Sequence, residues 1–155
     1  MKLSRDIAGQ NFIVTGAARG IGLAISTLFS SLGARVSGWD LDVSDMQENS
    51  IFADAQVVDV TDEAATLSGF AASLQRLGDI DGIIANAGIN GPTKPMWEYS
   101  LTEWDEVMAV DLTGVFLTVK ASLDHFRTRK HGRIIIISSI AGKEGNPGAV
   151  AYGAA

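Results

Sequence analysis

At 155 residues, 46% of them apolar and 19% charged, the chain is long enough for one folded core and short for a two-domain enzyme. A net charge of −6 argues against a nucleic-acid surface, which needs a basic face, and the apolar content argues against disorder. The absence of cysteine excludes disulfides, thiolate catalysis and cysteine-bound metals. No apolar run approaches the length of a membrane span, and the N-terminus lacks the apolar core of a signal peptide, so a cytoplasmic protein is expected, with no metal and no membrane partner.

Strand-like and helix-like segments alternate along the chain, the pattern of a parallel sheet covered on both faces. The first strand is the apolar run Phe12-Ile13-Val14. The eight residues Thr15-Gly16-Ala17-Ala18-Arg19-Gly20-Ile21-Gly22 follow it and open an amphipathic helix. Ile21, Ala24, Ile25, Leu28, Phe29 and Leu32 share one face at helical spacing, and Gly33 ends the helix. A second strand is expected over 35–39, with Asp40 at its carboxyl end, followed by a weakly patterned stretch, 43–52, with room for a short helix. The third strand is expected over 56–60, and Thr61 is the expected cap of a helix whose first turn holds Asp62 and Glu63. The buried stripe of that helix reads as Leu67, Phe70, Ala71, Leu74 and Leu77, and Gly78 stops it.

The fourth strand spans 81–85 and delivers Asn86-Ala87-Gly88 to its carboxyl end, ahead of a Gly/Pro loop at 90–95. Ser100 and Glu103 form a capping box for one long helix carrying Trp104, Val107, Met108, Leu112, Val115, Val119, Leu123 and Phe126. The cations that end it (Arg127, Arg129, Lys130, His131) read as a solvated helix C-terminus favoured by the dipole rather than a phosphate site. The fifth strand, 133–138, has four isoleucines, which suits burial on both faces. A Gly/Pro loop at 142–148 leads into the start of a last helix.

A strand running through a glycine turn into a helix is a pyrophosphate cradle. Unpaired N–H groups and the helix dipole face the anion, and a side chain at the glycines would block the approach. The spacing is Gly-x-x-x-Gly-x-Gly rather than Gly-x-Gly-x-x-Gly, so the turn alone is weak evidence. Asp40, 24 residues beyond Gly16, can accept hydrogen bonds from an adenosine ribose and would repel a 2′-phosphate, which favours NAD over NADP. Arg19 in the turn pulls the other way.

These motifs, with Asp59-Val60, Asn86-Ala87-Gly88, Ser139 and Tyr152 in the same order and spacing, resemble the short-chain dehydrogenase/reductase family over the whole chain. The resemblance implies an α/β fold of Rossmann type, a doubly wound parallel sheet in three αβα layers forming a single domain. It implies a nicotinamide cofactor held by Gly16, Arg19, Gly20, Ile21, Gly22, Asp40, Leu41, Asp59, Val60, Asn86, Ala87 and Gly88. Asp59 would bond the adenine amino group, with Val60 beside the ring. Ser139 would polarise the substrate oxygen, and Tyr152 would pass a proton as hydride moves. Ser139 is preferred to Ser138 because it stands 13 residues before Tyr152 and is followed by Ile140-Ala141-Gly142.

Two departures matter. Asp111, in Val110-Asp111-Leu112-Thr113-Gly114, stands where the family has an asparagine that helps hold a water linked to its catalytic lysine. An aspartate would keep the backbone contact and add a charge. The lysine of the family's Tyr-x-x-x-Lys motif would follow Ala155, so a longer protein is expected, carrying further strands and most of the substrate pocket. Without that lysine a tyrosine keeps a pKa of about 10 and is a poor base at neutral pH. The fifth strand would also present an apolar edge, a predicted aggregation site.

The expected reaction is hydride transfer between NAD and a secondary alcohol or ketone. A sugar, polyol or sugar acid is preferred as substrate and a 3-oxoacyl thioester is the alternative. A non-catalytic nucleotide-binding or assembly module is the reading from another class; a Rossmann-type methyltransferase would leave Ser139 and Tyr152 without a purpose. The resemblance also implies a homo-oligomer, tetramer or dimer, joined through the long helix.

Overall fold

The computed structural model describes residues 7–155, so part of the N-terminal stretch read for a leader lies outside the described residues. Five parallel strands form one sheet: β1 (Asn11–Thr15), β2 (Arg35–Asp40), β3 (Asp54–Val57), β4 (Gly82–Ala85) and β5 (Arg133–Ile136), in the order β3-β2-β1-β4-β5. The order reverses at β1, which leaves a crevice at the carboxyl ends of β1 and β4. Helix α1 (Gly20–Ser31) and the short α2 (Ser44–Gln47) cover one face, where Phe12, Val14, Val36, Met46 and Ile84 are buried together. Helices α3 (Glu63–Leu77) and α5 (Val115–Arg129) cover the other, over Ile13, Trp39, Ile80 and Ile83. The expected doubly wound, three-layer Rossmann-type architecture is therefore the one found.

Several local expectations are corrected. Strand β3 runs over Asp54–Val57 rather than 56–60, because Asp59 Oδ1 accepts from Thr61 N (2.9 Å) and turns the chain out of the sheet. The cap of α3 is Asp62, not Thr61: its Oδ1 takes the N–H groups of Ala64 (2.8 Å) and Ala65 (3.2 Å). The expected stripes of α1 and α3 are met in part, with Phe70 and Leu77 buried and Ile25, Phe29 and Leu74 packed on the core. Gly22 and Ser26 are buried in α1 while Ile21, Ala24 and Leu28 are exposed; Thr66, Gly69 and Ser73 are buried in α3 while Leu67 and Ala71 are exposed. These small residues sit where neighbouring atoms are close. A Cβ on Gly69 would stand 2.6 Å from Val58 Cγ2, and Ser73 Oγ accepts from the buried Trp39 Nε1 (2.9 Å).

The expected single helix over 104–126 is interrupted. Helix α4 (Leu101–Met108) has the expected capping box, passes into a six-residue π-helical segment, Ala109–Gly114, and resumes as α5. At its end Arg129 is not merely solvated: it bridges Asp79 (2.7 Å) and Asp81 (3.3 Å) and donates to Ile80 O (2.6 Å). Strand β5 lies at the sheet edge, and Ile134, Ile135 and Ile136 are 38%, 44% and 53% exposed rather than buried on both faces, since no strand pairs with their outer side among the described residues. Part of the expected loop at 142–148 instead forms a single turn, α6 (Ala141–Glu144), and α7 (Val150–Ala154) follows it.

Candidate functional site

The glycine turn is built by main-chain constraint. Gly16 and Gly20 adopt φ of 63° and 56°, values that favour glycine. A Cβ on Gly22 would meet Gly16 O at 2.1 Å, so this position admits no side chain. The N-cap of α1, Arg19, makes no side-chain bond to the helix, and the turn has no acidic residue, so the positive end of α1 opens into the crevice. Thr15 and Asn86 tie the turn to β4. Thr15 Oγ1 accepts from Asn86 N and Ala87 N (both 2.9 Å), and Asn86 Nδ2 donates to Thr15 O (2.9 Å) and Gly16 O (3.2 Å). Sequence reasoning gave the hydroxyl of Thr15 no role; its place at the end of a buried strand beside the turn was the available signal.

Asp40 closes the β2 side. Its Oδ2 accepts from Ala18 N (2.9 Å) and its Oδ1 from Leu41 N (2.8 Å), which fixes the carboxylate at the mouth of the turn. Asp59 spends Oδ1 on Thr61 N and on the Thr61 hydroxyl (2.7 Å). These groups enclose a cleft of about 310 Å³. All twelve residues expected to hold a cofactor border it except Gly20, in the turn itself, and Gly22, which is buried behind it. Ile21 and Leu41 expose 62% and 69% of their surface there, apolar walls with nothing against them.

A second cavity, of about 840 Å³, opens on the other side of Asn86. Ser138, Ser139, Tyr152 and Asp111 all border it, so the structure brings the three expected catalytic residues together with the competing serine. Ser139 is half-buried and its Oγ accepts from Ala141 N (3.2 Å), whereas Ser138 is exposed. Asp111 lies in the π-helical segment and its Oδ1 accepts from Ile89 N (2.8 Å), so the aspartate makes the expected backbone contact. Burial pushes its carboxyl above the usual aspartate range, against the opposing effect of the Ile89 N–H. A Cβ on Gly88 would come within 3.3 Å of that carboxylate.

The loop after β4 makes contacts that the sequence did not announce. Lys94 N donates to Gly148 O (2.9 Å), which links the loop after β4 to the segment leading into Tyr152, and the Tyr99 hydroxyl donates to Pro92 O within that loop. Lys94 Nζ pairs with Glu103 Oε1 (2.6 Å). That ammonium, with the Ser100 N–H and hydroxyl, holds the Glu103 carboxyl down to about 2.

Comparison with known proteins gives a consistent picture. A family model described as short chain dehydrogenase matches residues 10–155. The chain is 36% identical over 150 residues to a 2-dehydro-3-deoxy-L-rhamnonate dehydrogenase (NAD(+)) of a Sphingomonas species, covering 95% of this chain and 60% of that protein. It is 34% identical to a gluconate 5-dehydrogenase of Gluconobacter oxydans, with 95% and 60% covered, and 36% identical to an acetoacetyl-CoA reductase of Synechocystis, with 98% and 62% covered. The crystal structure of an NAD+-bound xylitol dehydrogenase superposes with a TM-score of 0.92 at 30% identity, over 96% of this chain and 60% of that one. The chain thus spans about 60% of the length of these relatives. On its motifs, its fold and this match, the chain belongs to the short-chain dehydrogenase family.

Proposed function

We propose that the protein transfers hydride between NAD and a small polar secondary alcohol or ketone, a sugar, polyol or sugar acid. The observation that carries this reading is that the glycine-turn cleft and the cavity of Ser139 and Tyr152 share the walls Ile21, Asn86, Ala87 and Gly88. An extended dinucleotide with its pyrophosphate at the turn therefore has a path past Asn86 toward the two hydroxyls.

The residues present fit such a cofactor. The turn glycines Gly16 and Gly20 at positive φ, the uncapped start of α1 and the apolar walls Ile21 and Leu41 suit a pyrophosphate flanked by a ring. The anchored Asp40 supports NAD over NADP by repelling a 2′-phosphate. In the same reading Asp59 and Val60 border the adenine. When bound, the nicotinamide supplies the hydride acceptor. Ser139 donates its hydroxyl hydrogen to the substrate oxygen and orients the carbinol, and Tyr152 as phenolate takes the carbinol proton to become the phenol; in the reverse direction the phenol gives that proton to the substrate oxygen. Asp111 holds the loop through Ile89 and so positions the wall between the two compartments.

The names of the rhamnonate, gluconate and xylitol dehydrogenases support a polyhydroxylated substrate. The acetoacetyl-CoA reductase relative, together with Arg19 in the turn, supports a 3-oxoacyl thioester as the second reading. The exposed Phe116 and Leu123 support association of copies through the α5 face.

The test is a calorimetric NAD titration with assays of NAD reduction on the protein and on Tyr152→Phe. Both are expected to bind NAD, and turnover is expected to fall about 10³-fold in the variant. Binding of NAD with no reduction by any alcohol would instead favour a nucleotide-binding module without catalysis.

A further inference from the structure

We propose that the substrate is the anion of a hydroxy or keto acid and that Lys143 binds its carboxylate. This rests on the hydride-transfer reading of the cavity of Ser139 and Tyr152, and it selects acids over neutral polyols. Among the described residues that border that cavity, Lys143 is the one cationic side chain and Asp111 the one acidic side chain. Of the other described lysines, Lys94 pairs with Glu103 and Lys120 with Glu63 (2.7 Å), while Lys130, at the end of α5, has no carboxylate partner but does not border the cavity. Lys143 has no carboxylate or hydrogen-bond partner for its ammonium among the described residues. Its neighbour Glu144 is exposed and does not border the cavity, so the charge that faces the cavity is not cancelled from its own turn.

The main chain of Lys143 is fixed relative to the catalytic serine. Gly142 N donates to Ser139 O (3.2 Å), Lys143 N donates to Ile140 O (3.0 Å), and Ala141 N donates to Ser139 Oγ. One turn of chain therefore carries both the group that would polarise the reacting oxygen and the ammonium. A substrate with its carbinol at Ser139 and Tyr152 finds the cation on the Ser139 side and the Asp111 carboxylate on the wall formed by the π-helical segment. That polarity directs an anionic group toward Lys143 and away from Asp111. An exposed ammonium gains little from a dissolved anion, but a substrate that fills the cavity displaces water and strengthens the pair. The flexible stem of lysine suits a carboxylate whose distance from the carbinol varies along a sugar acid.

The decisive measurement compares an aldonate with the polyol of the same carbon chain as substrates, in the presence of NAD, for the protein, Lys143→Met and Lys143→Arg. The expected result is a higher kcat/KM for the aldonate in the protein. In Lys143→Met the aldonate-to-polyol ratio falls about 10- to 100-fold, mainly through KM, while Lys143→Arg keeps most of the ratio. The aldonate KM also rises with salt in the protein and loses that dependence in Lys143→Met. Calorimetric titration of the NAD-bound protein with the aldonate reads the same preference without turnover. An equal preference for the two substrates, or an aldonate KM unchanged in Lys143→Met, overturns the assignment of Lys143 and leaves the dehydrogenase reading standing. A protein that binds no NAD overturns the dehydrogenase reading and this inference with it.

Discussion

The two compartments on either side of Asn86 are made of different material. The glycine-turn cleft is shaped by main chain: two glycines at positive φ, one that admits no Cβ, and four hydrogen bonds between Thr15, Gly16 and the Asn86 segment. The cavity beyond it is shaped by side chains on short segments, the four-residue α6, the five-residue α7 and a π-helical stretch. A backbone-built wall can hold only what fits backbone geometry, which suits a group common to many reactions. A wall of side chains on short turns changes with single substitutions, which suits the part of a reaction that differs between enzymes.

The harshest way to break this contrast is to place a side chain in the backbone-built half. Gly22→Val would force a Cβ to within 2.1 Å of Gly16 O and 2.7 Å of Asn86 Nδ2, and the first of these is main chain that cannot move aside without undoing the turn. Loss of NAD binding is expected, with a destabilisation of about 3 kcal/mol or more in denaturant titrations. The matching change in the other half is Gly142→Ala, where a new Cβ meets nothing within 4 Å. Its stability is expected to stay within about 0.5 kcal/mol of the parent. Equal damage from the two substitutions would show that the halves do not differ as described.

The same contrast explains what could be read in advance. The turn was legible because so few residue types satisfy its φ values and close approaches that glycine spacing nearly spells the geometry. The buried faces of α1 and α3 were read only in part: Phe70 and Leu77 are buried and Ile25, Phe29 and Leu74 pack on the core, but Ile21, Ala24, Leu28, Leu67 and Ala71 are exposed. Apolar periodicity assumes that only large residues are buried, yet Gly22, Ser26, Gly69 and Ser73 are buried too, and at Gly22 and Gly69 a Cβ would come within 2.1 Å and 2.6 Å of a neighbour. Ile21, counted in a buried stripe, instead lines both compartments. The π-helical segment left no mark in the sequence, since a shift in hydrogen-bond register changes neither composition nor apolar spacing appreciably over six residues. The resemblance named Ser139, Tyr152 and Asp111, which border one cavity, but the bond from Lys94 N to Gly148 O joins loops that no local pattern connects.

A milder change tests whether charge, and not only shape, is set in the backbone-built half. Asp40→Asn keeps an oxygen for one of the N–H groups of Ala18 and Leu41 while it removes the negative charge. The ratio of NAD to NADP affinity is expected to fall about 10-fold, a difference of about 1.4 kcal/mol. Asp40→Ala, which also removes the acceptor, is expected to lower NAD affinity itself. Unchanged preference for NAD in both variants would refute the role given to Asp40.

The smallest expected effect lies in the side-chain-built half and concerns pH. Burial raises the Asp111 carboxyl above its unfolded value, so the folded protein binds that proton more tightly than the unfolded chain does. Its contribution to stability is therefore fully present below the unfolded pKa, about 4, and is lost as pH rises through the raised folded-state value. At neutral pH the ionised carboxylate is a cost that the single bond from Ile89 N only partly offsets. Asp111→Asn keeps an oxygen for that N–H and carries no charge, so thermal melts are expected to show it slightly more stable than the parent near neutrality. The two proteins should converge as pH falls below about 4, where the parent aspartate is itself neutral. A variant less stable than its parent at neutral pH would mean that the Asp111 carboxylate has a favourable partner which burial alone does not supply, and the wall between the two compartments would then depend on its charge.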